Sequence, residues 1–558
     1  MKKKSLLILS LAAAFAASAV AQSVEQPPVH HVLLISIDGM HAIDFLNCSK
    51  GVASVNNGIP YCPNLAKLGV TAVNYVAAST SKPSDSFPGL ETIISGSTPR
   101  SMGVYYDVAY DRSLDPPAKT TGNGVAAGDC KANTPPTGTR TEYEEGIEFD
   151  QSKLNGGAPG AALTEGSIAS IDPMKLPRDP AAGCAPVWPW NFPRTNTIFS
   201  VIHAAGGYTA WSDKHPAYAS VAGPGGGSLN DFYAPEINSA VVALPGITTP
   251  TGINCTTIPD PANTGDWTKS FKNIQCYDTL KVNAILNEID GKTHNGKSAQ
   301  VPTIFGMNFQ AVSIGQKLVL SGGPVGGYLD AAGTPAPAML SEIQFVDESI
   351  GKMMKELQSQ GLADDTMFII TAKHGQSPID PSHYNPILNN GTSPATLLAS
   401  YLPFSESPLN TNGIGPTEDD VSLIWLADSA NTATAVNILE ENTVQAGIGE
   451  IFYGPSLALN YNMPGLAPNG DPRSPDIIVT PNVGVVYTGS TKKHSEHGGF
   501  GHDDTNVMLL LSNPKIKHKT VYQEVGTIQV APTILSVLGI DPQRLDGVRR
   551  DGTAVLPQ

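Results

Sequence analysis

The sequence predicts an α/β chain: a doubly wound, mostly parallel sheet with helices on both faces and added cap segments. Three observations carry this expectation. First, His31–Ile37 is a continuous β-prone run ending at Asp38-Gly39, Thr366–Thr371 is another ending just before Lys373-His374-Gly375, and Thr505–Leu511 is a third, after the loop EHGGFGHDD. Runs apolar on both faces suit strands buried in a parallel sheet. Second, Met339, Ile343, Val346, Ile350, Met353 and Leu357 recur at helical spacing and stop near Gly361, directly before the 366–371 run, so helix feeds strand as in a doubly wound unit. Third, polar residues follow each apolar run, and open α/β sheets build their sites at such strand ends.

In chain order, Met1 and three lysines precede an apolar stretch and the small-residue site Ala19-Val20-Ala21. This reads as a secretory leader over 1–21, implying a periplasmic or secreted protein. No later segment offers about 18 uninterrupted apolar residues, so no stable membrane span is expected. A first core segment spans 28–111 and a Gly-, Pro-, Thr- and Asn-rich stretch over 112–300 reads as an insertion or cap. Core resumes over 301–384, a second insertion covers 385–475, and 476–558 completes the core, with VAPTILSVLGI as a short helix entered through Pro532 and closed by Gly539.

In an oxidising compartment the six cysteines read as disulfide partners, and the shortest loops pair Cys48 with Cys62, Cys130 with Cys184 and Cys255 with Cys276. No C-x-x-C pair suggests a zinc cluster. The formal net charge is −16, and it becomes more negative when Lys2, Lys3 and Lys4 leave with the leader. Such a surface excludes nucleic-acid polymers as partners, because phosphate backbones are bound by clustered Lys and Arg. A small anionic substrate is compatible if the site carries its own cations. Oligomeric state is not legible.

The chemistry-bearing segments begin with SKPSDSFPGLETIISG, where Ser86 precedes Phe87-Pro88 and a short apolar stripe, Leu90, Ile93 and Ile94, ends at Gly96. A hydroxyl at a helix N-terminus faces unpaired N–H groups that favour an anion; a serine there serving only as an N-cap is the competing reading. Ser86 is one of an ordered set with Ile37-Asp38-Gly39, His374-Gly375 and His497-Gly498.

That set resembles the type I phosphodiesterase/nucleotide pyrophosphatase branch of the alkaline phosphatase superfamily, and the closing VAPTILSVLGI looks like that superfamily too. The resemblance implies an alkaline-phosphatase-like fold and a metal-assisted hydrolase of small phosphate esters. It further implies a two-metal site in which a hydroxyl attacks phosphorus to give a phosphoenzyme, the two cations about 4 Å apart stabilising attacking and leaving oxygens. Carried over by position, Ser86 is the nucleophile, Asp38, Ser86 and His374 are metal ligands on its side, and His497 is a ligand on the other. The implied cofactor is a divalent ion, zinc first, with calcium or magnesium as alternatives and one ion in place of two left open.

The chain departs from this pattern at three positions. Where the family has Asp-His-Gly it carries Lys373-His374-Gly375, and the family's Asp and His four residues apart fall on Val312 and Gln316. Replacing a carboxylate by an ammonium raises the local charge by that of a divalent ion, so Lys373 is expected to act catalytically by neutralising a phosphate oxygen and favouring ionised Ser86. The alternative is a salt bridge from Lys373 to a neighbour such as Asp380. His494, Glu496, His502, Asp503 and Asp504 are further candidate ligands, and WSDKHPAY offers Lys214 and His215 as a substrate clamp or as an ordinary structural turn. Two other functions compete: a metal-depleted binding protein of the same fold, and a sulfatase. The latter is disfavoured because Leu90 stands where its nucleophile motif needs arginine.

Overall fold

A computed structural model describes residues 29–143, 155–156, 171–237, 268, 270–319, 325–388, 391–405, 417–488 and 493–557. The leader over 1–21 and Cys255 lie outside the described residues. Nine strands form the main sheet: β1 (His31–Ile37), β2 (Ala72–Tyr75), β3 (Asn155–Gly156), β4 (Ala210–Ser212), β5 (Asp231–Pro235), β6 (Ile304–Phe309), β7 (Thr366–Thr371), β8 (Leu510–Ser512) and β9 (Lys519–Val521). Their spatial order is β9-β2-β8-β7-β1-β6-β4-β5-β3. The central strands β7, β1, β6, β4 and β5 run parallel, whereas β8 is antiparallel to both of its neighbours.

The apolar runs are continuous because the sheet is covered on both sides. Along β1, Leu33, Ile35 and Ile37 enter one core while Val32 and Leu34 enter the other. The first core receives helices α1 (Ala42–Lys50) and α2 (Pro63–Val70); the second receives α3 (Ser86–Ser95) and α4 (Ile198–Ala204). Further along, α5 (Phe271–Ile289), α6 (Ala311–Lys317) and α7 (Pro337–Ser359) join the first core, and α8 (Val530–Val537) the second. All six residues of the predicted 339–357 stripe are buried. Gly539, in the left-handed region at φ +70°, follows the C-terminal helix as expected.

Two expectations differ from the fold. The stretch 112–300 is not simply a cap: β4, β5 and α5 extend the main sheet and its first core, and the short length of these strands hides their period from a sequence reading. The run 505–511 is a strand only over Leu510–Ser512, because His502–Thr505 forms a helical turn. The stretch 385–475 builds most of a separate three-stranded antiparallel sheet, Ser422–Ile424, Ile477–Pro481 and Ile448–Tyr453, with its own apolar core. Disulfides join Cys48 to Cys62 and Cys130 to Cys184. Among the described residues no helix is long and apolar enough to cross a membrane.

Candidate active site

Four adjacent parallel strands, β7, β1, β6 and β4, deliver their carboxyl ends to one place. Asp38 follows β1, Lys373 and His374 follow β7, Asn308 lies within β6 with Gln310 just after it, and Asp213 and Lys214 follow β4. Between them stands Ser86, the first residue of α3. Asp85, not Ser86, is the cap: its carboxylate accepts the Phe87 N–H at 3.2 Å. The Ser86 hydroxyl is thereby left to other partners. Gly89 allows the helix to press on the strand end, since a Cβ there would stand 2.2 Å from the Lys373 carbonyl oxygen.

Ser86 has no solvent exposure. Its Oγ lies 3.1 Å from His374 Nε2 and 3.4 Å from Asp38 Oδ2, and it accepts a hydrogen bond from Lys214 Nζ at 3.0 Å. His374 Nδ1 is 2.8 Å from the Gly375 carbonyl. A carbonyl only accepts, so Nδ1 carries the proton and Nε2 is left as an acceptor for the Ser86 O–H. Burial pushes the His374 imidazole below its ordinary value against the pull of Asp38, which keeps it neutral.

Asp38 is fully buried and its two oxygens are answered by amides: Asn308 Nδ2 donates to Oδ1 at 2.7 Å and Gln310 Nε2 to Oδ2 at 2.6 Å. Burial opposes its charge, but Lys373, His374 and Lys214 more than offset that and hold the carboxyl well below the usual carboxylate range. Sequence reasoning missed Asn308 and Gln310. The signal was available, two amide side chains at the end of an apolar strand, but a search for a carboxylate and a histidine passes over it.

Lys373 differs from its expectation. It is buried with no exposure, and its ammonium donates to Asp213 Oδ1 at 2.8 Å while lying 4.1 Å from the centre of the Tyr218 ring. Its ion pair is with Asp213, not Asp380, and the cation on Ser86 is Lys214. His215, the other member of the expected clamp, turns to Glu236 at 2.8 Å, so only Lys214 of the pair faces Ser86.

His497 lies beside His374, ring centroids 4.0 Å apart and the rings tilted by 43°, with Nδ1 3.6 Å from Asp85 Oδ1. Burial, together with Lys317, His374 and Lys214, drives its pKa well down. Val312 is packed in the apolar core, and the Gln316 amide donates to the Gly39 carbonyl at 2.6 Å and to the Tyr328 hydroxyl at 2.9 Å. The additional candidate ligands are engaged elsewhere. Glu496 pairs with Lys317 at 3.0 Å and also with Lys493, Asp503 accepts the Ile379 N–H at 2.9 Å, and Asp504 accepts that of Gly499 at 3.2 Å. His494 lies edge-on to Tyr384 and His502 is exposed.

A model of the type I phosphodiesterase/nucleotide pyrophosphatase family matches residues 32–135 and 326–504, half of the chain. The chain belongs to that family. Solved structures agree on the fold. Murine ectonucleotide pyrophosphatase/phosphodiesterase 5 is 13% identical with a TM-score of 0.52, covering 92% of this chain and 96% of its own. An inactive threonine-to-alanine form of the murine protein in complex with AMP is similar, with a TM-score of 0.51. The alkaline phosphatase PafA is 12% identical with a TM-score of 0.53, covering 92% of this chain and 97% of its own. Among curated proteins none matches in sequence. Family and fold make the chain a phosphoester hydrolase, which sets aside the non-catalytic reading.

Members of the family are metal-dependent phosphoesterases, and the residues present here do not fit the family's two-ion centre. Zinc needs three or four protein ligands, and Val312, Gln316 and Lys373 supply none. Among the described residues no group of three His, Cys, Asp or Glu is placed to hold a metal ion. The remaining cluster of Asp38, Ser86 and His374 has an ammonium 3.0 Å from Oγ, where an incoming cation would meet a cation.

Proposed function

We propose that the protein is an exported hydrolase of small phosphate esters acting through a phosphoserine at Ser86. One observation carries the reading: a buried Ser86 Oγ meets a neutral imidazole acceptor, His374 Nε2 at 3.1 Å, and a cationic donor, Lys214 Nζ at 3.0 Å. A weak nucleophile needs both, a base to take its proton and positive charge beside the oxygen as it forms.

In the first step the Ser86 proton passes to His374 Nε2, the Oγ–P bond forms, and the P–O bond to the leaving group breaks with its electron pair. The leaving oxygen is protonated through solvent. In the second step water attacks phosphorus and the Oγ–P bond breaks with its electron pair on Oγ. His374 Nε2 returns its proton to Oγ, the product leaves carrying the water's hydroxyl, and the water's other proton goes to solvent, so that both Ser86 and His374 regain their starting forms. Lys214 and His497 are the least enclosed groups around Ser86, at 8% and 12% exposure, so the ester approaches past them. The leader expected over 1–21 and the two disulfides support export.

The expected ion, zinc, calcium or magnesium, has no step in this scheme, because the donors at Ser86 are already taken by amides and an ammonium. Incubation with chromogenic phosphomonoesters and phosphodiesters, including nucleotide esters, tests the reading. Wild type should turn over at least one and carry one added phosphoryl group in a rapid acid quench. Turnover undiminished in Ser86→Ala would refute it.

A further inference from the structure

The two lysines of the site form a single device. Asp213 links them: Oδ1 accepts the Lys373 ammonium at 2.8 Å and the Lys214 backbone N–H, also at 2.8 Å, while Oδ2 accepts the Trp211 indole N–H at 3.0 Å. Both oxygens of that carboxylate therefore fix where residue 214 leaves the strand. Lys214 then reaches back to Ser86 Oγ. Neither Asp213 nor Lys373 has solvent exposure, and the Tyr218 ring closes the far side of the Lys373 ammonium at 4.1 Å. A buried charge is kept only where it is paired, and here each is.

Lys373 sets the charge balance around Asp213. A carboxylate at 373 would confront Asp213 across the same gap, two buried like charges that could not both ionise. With an ammonium there, Asp213 is neutralised and the segment 213–214 is drawn over the nucleophile. Lys373 and Lys214 are thus coupled through Asp213, one ammonium pairing with its carboxylate and the other reaching Ser86 Oγ from the backbone that the same carboxylate holds.

We infer that this chain activates Ser86 without a metal ion, with Lys214 supplying the positive charge on Oγ and Lys373 acting as the positioning residue that holds Lys214 there through Asp213. The inference rests on Ser86 being the nucleophile. Lys214 transfers no proton; it donates a hydrogen bond that strengthens as charge builds on Oγ, and the proton goes to His374.

Two independent measurements test it. In the first, protein stripped with a chelator and verified metal-free by elemental analysis is assayed on the ester that wild type hydrolyses. Turnover should be unchanged by stripping or by added zinc. Lys214→Met should lower kcat about 100- to 1,000-fold, the loss seen when one oxyanion donor is removed, and Lys214→Arg should recover part of it. Lys373→Met alone leaves Asp213 buried and unpaired, so the isosteric double variant Asp213→Asn/Lys373→Met is the informative one. It should lower kcat in the wild-type background but cost little further in Lys214→Met, because it acts through that residue; an equal loss in both backgrounds would reduce Lys373 to a structural role and overturn its part. In the second, zinc is titrated calorimetrically into stripped wild type and His374→Ala. No binding that His374→Ala abolishes should appear.

Turnover that requires zinc, with Ser86→Ala inactive, overturns the inference and leaves the phosphoserine intact. A wild type that hydrolyses nothing with or without metal overturns the phosphoserine reading, and the inference with it. Zinc binding that depends on His374 overturns the inference whatever the activity.

Discussion

The two sides of the site are unequal. Around Ser86, Asp38 takes amides from Asn308 and Gln310, His374 is fixed by the Gly375 carbonyl, and Lys214 is held over Oγ by a segment tied to Lys373. Around His497, Val312 has joined the core, Gln316 has turned to a carbonyl and a hydroxyl, and Nδ1 lies 3.6 Å from the Asp85 carboxylate. Donors and acceptors fixed in advance lower a barrier because they need no reorganisation when charge develops. The first side has that property and the second lacks it, so the chemistry should depend steeply on one and weakly on the other.

The steepest dependence is on Ser86. If Ser86 forms the covalent bond as proposed, Ser86→Ala should reduce kcat/KM by about 10,000-fold or more and leave no phosphoprotein, since such a residue has no substitute. Steady-state assays with intact-mass analysis of the quenched enzyme check this, and a comparable loss in His497→Ala would erase the contrast between the two sides. Next comes His374, the proposed base, whose removal should cost about 100- to 10,000-fold. Its pH signature has a definite sign. The imidazole must be neutral to accept the Ser86 proton, and its pKa is lowered by burial. Activity should therefore hold through neutrality and fall only as pH drops below about 6.5, the ordinary histidine value. Asp38→Asn removes a group that raises the His374 pKa, so the acid limb of kcat/KM should move to still lower pH; an upward move would contradict the assigned roles.

Much of this was legible in the sequence where period or order is strong. The strand Thr366–Thr371 and the helix over 339–357 follow from continuous apolar runs and a regular stripe, and Asp38, Ser86 and His374 converge as the ordered motifs imply. What was hidden involves pairs far apart in the chain. Lys373 and Asp213 are separated by 160 residues and meet only because β7 and β4 deliver their ends to the same face. The three-residue strand β4 is too short to declare itself by alternation, so Lys214 read as part of an insertion when it belongs to a core strand end. Asn308 and Gln310 were invisible for a chemical reason: neutral amides are not expected where a metal-site pattern requires charge.

A smaller effect reads the charge of the Lys373 side through stability. Glu91 on α3 is fully buried, and burial pushes its carboxyl from 4.5 up to about 7, with the Ser220 hydroxyl and Lys373 pulling the other way. A carboxyl raised in the fold prefers to keep its proton, so its contribution to stability is intact below the unfolded value and is lost as pH rises from 4.5 towards about 7. The penalty above neutrality is about 3 kcal/mol, because each tenfold gain in proton affinity on folding is worth about 1.4 kcal/mol. Glu91→Gln should thus exceed wild type in stability at pH 8 by about that amount and match it near pH 4.5. Urea midpoints at the two pH values measure this, and an offset independent of pH would show that Glu91 is not protonated in the fold.

The smallest effect belongs to His497. Its imidazole is kept neutral by burial and by Lys317, His374 and Lys214, so it brings no charge to an incoming phosphoryl group, and its close ring partner is His374. His497→Gln keeps a polar planar group beside His374 and should change kcat by less than about tenfold, with any larger share of the loss in KM as expected for a group that lines the approach. The split matters more than the size. If kcat fell as far as in His374→Ala while KM stayed constant, His497 would be acting in the transition state, and the second side of the site would have kept a chemical role that its hydrogen bonds do not reveal.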